Sequence, residues 1–234
     1  MVQSGSVSGS NRIEDRVKEA LAGFTGRLPL FPLPRVVQFP MTVLPLHIFE
    51  PRYRAMTKHA VEGEKLIGMA LLLPGYEPEY YGRPAIHDVI CLGRLIHVEE
   101  KEDGTYDIML EGLARARILS EVPGGEFRQA DVAVLEDVRL GPDDEGLWRQ
   151  RLDMLMVQLA PEIGTPIRKT LGTLMSSHLP LGTLLDLLAH ALPAPAEDRQ
   201  RVLAAADVQE RAKLMLELLT RHHRGADDAP KQAD

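Results

Sequence analysis

The sequence predicts an α+β protein, a small β barrel with one inserted helix followed by an α-helical bundle. From Leu28 to Val138 the apolar residues come in short runs separated by Pro and Gly, which is the pattern of many strands. From Gly141 onward the apolar period lengthens to that of a helix. The chain has 234 residues, 44% of them hydrophobic and 26% charged, with one cysteine, so its core must come from ordinary apolar packing rather than from disulfide or zinc staples.

Taken in order, residues 1–27 open on a Gly/Ser-rich run and read as a disordered or helical extension. The barrel then occupies 28–140. Its strands are predicted at Leu28–Leu33, Thr42–Phe49, Leu66–Leu73, Asp88–Glu99, Thr105–Ser120 and Glu126–Val138. Turn signals stand at Pro74–Gly75, Asp103–Gly104 and Pro123–Gly124–Gly125, and the Asp-Gly pair marks a hairpin between two long strands. After Glu50, Pro51 suits a first helical turn, and Tyr53, Met56, His59 and Ala60 recur at helical spacing, so one helix caps an end of the sheet. Strands this long with mixed apolar faces favour closure, because a closed sheet leaves no exposed edges.

The bundle occupies 141–221. Trp148, Leu152, Leu155, Met156 and Leu159 fall on one helical face. Further helices are predicted at Pro166–Met175, Gly182–Leu192, Ala196–Ala205 and Val208–Arg221, broken by Pro161, Pro180 and the Pro193–Pro195 stretch. The ends, Met1–Ser10 and Gly225–Asp234, have the composition of disorder, and 222–234 reads as a disordered tail.

Several chemistries are absent from the pattern. No lysine follows a glycine and no two glycines stand two apart, which removes the phosphate loop and the dinucleotide fingerprint. No His precedes a Glu, a single thiol cannot make a zinc site, and no Gly-x-Ser-x-Gly elbow occurs. Cys91 lies between Ile90 and Leu92 and reads as a small buried hydrophobe. No catalytic residue, cofactor or metal is therefore expected. Residues 28–140 hold twelve basic and seventeen acidic groups, so phosphate neutralisation has little to work with and no nucleic acid is expected as partner. No uninterrupted apolar window of spanning length occurs and no signal-like start precedes the barrel, so no membrane is expected and the cytoplasm is the predicted compartment.

The stretch from Leu28 to Tyr53, LPLFPLPRVVQFPMTVLPLHIFEPRY, resembles the opening of the N-terminal domain of Lon proteases. Val89–His97 is similar to that family's Gly-containing strand, and Leu110–Arg117 to its Gly-x-x-Arg strand. Leu184–Ala189 and Arg201–Arg211 resemble its closing helices, so the likeness runs over 28–221. It implies a PUA-like β pseudo-barrel followed by helices. In full-length Lon this domain precedes an ATPase and a Ser-Lys protease module and helps select unfolded or tagged substrates. The chain ends where those modules would begin, so it resembles a stand-alone substrate-binding domain, and a peptidase label would describe parts outside it.

Among the family-motif residues, Phe49, Glu50, Arg52, Tyr53, Gly93, Gly112, Arg115 and Arg117 have structural readings first. Gly93 and Gly112 suit bulges or close backbone approach in a curled sheet. Arg52, Arg115 and Arg117 suit ion pairs with Glu50 or Glu111, or a grip on a peptide carboxylate. A binding surface is better sought in apolar loop residues, namely Phe39 and Met41 in the Gln38–Thr42 link, and Tyr76, Tyr80 and Tyr81 in Pro74–Pro84.

These readings together predict a non-catalytic module that holds unfolded or tagged protein segments or a regulatory partner, with a separate protease or ATPase as a further partner. The rival is a hydrolase or small-ligand-binding protein built from the scattered histidines and carboxylates of the barrel, of which His47, His59, His87 and His97 are the barrel histidines.

Overall fold

The computed structural model describes residues 9–159 and 165–227. They fall into two compact units divided between Glu136 and Asp137, with His178–Pro180 belonging to the first.

The first unit begins with α1 (Gly9–Ala20), and six strands follow: β1 (Arg27–Leu33), β2 (Val43–Ile48), β3 (Leu66–Leu71), β4 (Val89–Glu100), β5 (Tyr106–Val122) and β6 (Gln129–Leu135). The inserted helix α2 (Pro51–Glu62) starts one residue after Glu50, with Tyr53, Met56, Thr57 and Ala60 buried on one side. The strand order is β2-β5-β4-β3-β1-β6, and β6 also pairs with β5. The ring β5-β4-β3-β1-β6 is therefore closed, and β2 is an added edge strand. Only β1 and β3 run parallel, joined through β2 and α2, which supply the crossover a parallel pair requires.

Closure depends on β5. Its first half pairs with β2 (Val43↔Glu111 to Ile48↔Tyr106) and its second half with β6 (Arg115↔Leu135 to Val122↔Gln129), while β4 runs along the other edge. Two glycines make the bend possible. A Cβ at Gly93 would meet Leu110 Cγ at 2.7 Å, and one at Gly112 would stand 2.1 Å from the Phe39 carbonyl oxygen. Pairing between β4 and β5 slips between Leu92 and Gly93, a bulge at the place of closest approach. The barrel core contains Leu28, Leu30, Leu66, Ile90, Leu92, Ala116 and Val132, with Val17, Ala20, Leu21 and Phe24 packed against it. The N-terminal extension is thus helical over α1 and leads into a packed segment. Of the disorder predicted for Met1–Ser10, residues 1–8 lie outside the described residues.

The second unit comprises α3 (Pro142–Leu159), α4 (Thr165–Met175), α5 (Leu181–Ala191), α6 (Ala196–Ala204) and α7 (Val208–Asp227). Trp148 and Leu152 are buried, as are Leu184, Leu185 and Leu188 of α5 and Met215, Leu218 and Leu219 of α7. Helix α7 passes the predicted boundary at 221 and continues to Asp227, because extending a formed helix costs far less than starting one. The rest of the predicted tail, 228–234, lies outside the described residues.

An arginine centres this unit. Arg211 is fully buried; its guanidinium donates to Asp137 Oδ2 (2.9 Å), Ala205 O (3.0 Å) and Gly182 O (3.3 Å), and Asp186 Oδ1 stands 3.4 Å away. A buried cation is tolerable only with such a set of acceptors.

Three results are expected from urea titration. Gly112→Ala destabilises by about 2–3 kcal/mol, since its clash is with backbone, whereas Gly172→Ala, at an open position of α4, stabilises by roughly 0.5–1 kcal/mol. Arg211→Met, which takes the buried guanidinium from beside Asp137 and Asp186, destabilises by about 3–5 kcal/mol, read as loss of helical signal before loss of the barrel.

Candidate functional site

The start of α2 and the loop 76–84 build one cluster around Arg52. The Arg52 guanidinium lies 4.5 Å from the ring centroid of Tyr53, 4.9 Å from that of Tyr80 and 6.0 Å from that of Tyr81. Its Nε donates to Glu50 Oε2 (3.0 Å) and its Nη1 to the Tyr80 carbonyl (2.9 Å), while the Tyr80 hydroxyl donates to Glu50 Oε1 (3.0 Å). Glu50 therefore ties the helix start to the loop through two partners at once. Burial, then the hydrogen bond to Glu50, raises the Tyr80 phenol above the usual tyrosine range. Tyr53 is raised as well, burial first, and its hydroxyl donates to Pro32 O (3.0 Å).

Beside this cluster lies a cleft of about 400 Å³. Leu30, Pro32 and Tyr53 line it on the barrel side, Tyr81, Gly82 and Arg83 on the loop side, and Gly124, Gly125, Glu126, Phe127 and Arg128 on the β5–β6 turn. Gly124 and Gly125 have φ of 79° and 83°, which the turn requires and a side chain resists. Arg83 Nη2 donates to Val122 O (3.0 Å) and Gly124 O (3.3 Å), joining loop to turn. Arg128 is 8% exposed, pairs with Glu121 and donates to Pro84 O (2.6 Å). The walls are thus held by three arginines, each with acceptors in place. Tyr81 is the exception to this tight tethering, 87% exposed and set edge-on to Tyr80 at 5.2 Å.

The predicted binding residues divide. Tyr76, Tyr80 and Tyr81 come together, with the Tyr76 and Tyr80 rings 6.2 Å apart, and Tyr81 lines the cleft. Phe39 is a correction: it is completely buried, and its carbonyl sits against Gly112, so it supports the barrel instead of facing a partner. The reason is local. Phe39 to Thr42 form a tight turn, Thr42 N to Phe39 O 3.3 Å, with Pro40 second and Met41 third at φ 64°, which folds the ring inward. Met41 is half-buried in that turn, its N–H on Gly112 O (2.8 Å), and does not line the cleft.

Of the motif residues, Arg52 pairs with Glu50, but Arg117 pairs with Asp88. Glu111 is taken by Arg16 and Arg94, both at 2.7 Å. Arg117 and Glu111 are six residues apart on one strand, roughly 20 Å at about 3.3 Å per residue, which is beyond side-chain reach. Arg115 is buried within β5. Phe49 is 63% exposed and stacks on His47. His47 in turn contacts Asp107 (2.7 Å), and His59 lies against Phe127 at 5.2 Å. Among the described residues no group of three His, Cys, Asp or Glu side chains is placed to hold a metal ion, and no helix is long and apolar enough to cross a membrane.

Sequence reasoning missed Arg83, Phe127 and Arg128. The available signal was a pair of arginines flanking two apparently separate turns, but the turns are 39 residues apart in the bond from Arg83 to Val122, and only the sheet brings them together.

The model for the substrate-binding domain of ATP-dependent protease La (LON) matches residues 27–221. The chain belongs to this family. It is 31% identical over 198 residues to the Lon protease of Anaeromyxobacter dehalogenans and to Lon protease 2 of Myxococcus xanthus, covering 83% of this chain and 23% of either relative. It therefore spans about a quarter of the length of these Lon proteases. Among solved structures it is similar to a Lon N-terminal domain protein from Xanthomonas campestris (TM-score 0.58, 22% identity, 82% of this chain and 97% of that one). It is also similar to the N-terminal domain of the Mycobacterium avium complex Lon protease (TM-score 0.64, 17% identity, 84% and 99%). The closed ring with its helices is thus the Lon N-terminal domain fold.

Because Tyr80 is held at both ends, Tyr80→Phe frees one Glu50 oxygen and loosens the loop. Expected is a loss of about 1 kcal/mol in stability and faster proteolytic cutting within 76–84, with the barrel otherwise intact by circular dichroism.

Proposed function

We propose that this Lon-family chain is a non-catalytic protein-binding module that holds unfolded or tagged protein segments in the cleft beside Arg52. The observation that supports this best is the meeting of two accessible rings on the cleft lining, the partly exposed Phe127 on the turn side and the exposed Tyr81 on the loop side, above a floor of the buried Leu30, Pro32 and Tyr53. Such a surface takes a side chain of many sequences, since an aromatic offers large contact area with few rotors to freeze. The arginines are already engaged by Glu50, Glu121 and backbone carbonyls, so they serve as struts rather than as catalytic groups.

A held segment is passed to a separate protease or ATPase partner, and the module works in the cytoplasm without a cofactor. Nucleic acid is a poor fit to the acidic balance of 28–140. Strand addition is the weaker mode: β2 is an edge strand, and Pro45 at its middle lacks an N–H to donate.

Tyr81→Ala tests the reading more cleanly than any change at Tyr80, whose ring and hydroxyl hold the loop. In fluorescence anisotropy with a permanently unfolded client, affinity should fall roughly 5- to 30-fold with the fold unchanged. Equal affinity for wild type and variant sinks the cleft as the binding site.

A further inference from the structure

The charges around the cleft are not all answered, and this deepens the protein-binding reading on which it rests. Arg52 is offset by Glu50 and Arg128 by Glu121. That leaves Arg83 and Glu126 on the lining. In the same loop as Arg83, the short 3-10 turn Glu77–Glu79 leads directly into Tyr80 and Tyr81, the Glu79 carbonyl accepts from the N–H of the lining residue Gly82 (2.7 Å), and both glutamates are exposed. Glu77, Glu79 and Glu126 form no ion pair among the described residues. The lining and its loop thus carry one cation and three carboxylates without ion pairs, a balance of −2.

Tyr81 adds a second feature of the same sign. Its ring is 87% exposed, and the face of an exposed tyrosine attracts Lys or Arg through its quadrupole. In this cluster Arg52 already uses the rings of Tyr53 and Tyr80 in that way at 4.5 and 4.9 Å, and stands farther from Tyr81, at 6.0 Å. Tyr81 is the ring that Arg52 engages least.

We propose that the cleft selects basic-apolar segments: an extended, unfolded stretch that seats an apolar side chain against the partly exposed Phe127 and sets a neighbouring Lys or Arg over Tyr81, near Glu77, Glu79 and Glu126. Acidic segments of equal hydrophobicity are disfavoured by the same carboxylates. Selection of this kind comes from the rim and is salt-sensitive, whereas the apolar contact is not.

The test uses three labelled unfolded peptides that share one apolar core and differ only in flanks of Lys, Gln or Glu, measured by anisotropy against the full chain. At about 50 mM salt the Lys peptide should bind roughly tenfold tighter than the Glu peptide, with Gln between them, and the spread should shrink to about threefold near 300 mM. In Glu77→Gln/Glu79→Gln/Glu126→Gln, three exposed changes that leave the core untouched, the spread should collapse at both salts. Equal affinities in the wild type, a reversed order, or a spread that survives the triple substitution overturns the selection while leaving the cleft as a binding site. Failure of the Gln peptide and its flanked relatives to bind at all overturns the underlying protein-binding reading instead.

Discussion

The close approach of β5 to the Phe39–Thr42 turn is the constraint on which the first unit depends. Only a residue without a Cβ fits at position 112, where the Phe39 carbonyl would stand 2.1 Å from a methyl group. With that contact made, β5 can accept β2 on one half of its edge and β6 on the other. Since β6 also pairs with β1, the ring closes and β2 is left as the edge strand. The same contact buries Phe39 and hence removes it from the surface.

Ring closure also creates the cleft. The loop 76–84 and the turn 123–125 are distant in sequence, and pairing of β6 with both β1 and β5 brings the turn beside the barrel residues Leu30 and Pro32. Arg83 and Arg128 then hold the two sides through carbonyl acceptors and Glu121, while Glu50 and Arg52 hold the aromatic loop to the start of α2. On the proposed reading a partner would meet walls that are largely ordered before it arrives, which lowers the entropy lost on binding. Tyr81 remains exposed because nothing in the loop gives its hydroxyl the role that Glu50 gives to Tyr80.

The second unit solves a different problem with a different device. Arg211 gathers a segment after β6, the start of α5 and the end of α6 through acceptors on Asp137, Gly182 and Ala205. The strand-like bridge between Val138 and Asp207 adds a backbone link at the same point. An apolar residue at 211 would pack, but it would take a donor from Asp137 and from the Gly182 and Ala205 carbonyls.

The order and type of the elements were legible because they depend on local period: six strands, the helix beginning at Pro51 and the later helices all follow from spacing of apolar residues and from Pro and Gly. The tyrosines at 76, 80 and 81 were legible as a group for the same reason, being neighbours in one loop. The inward turn of Phe39, the partners of Arg117 and Glu111, and the contribution of Arg83, Phe127 and Arg128 were not. Each depends on which strands lie side by side and which face of a bent sheet a residue occupies, and a one-residue bulge such as that at Gly93 exchanges those faces. Sequence alone determined what the chain would build; the closed ring decided which side chains would share a cleft, because contacts across it join residues whose separation along the chain encodes no distance in space.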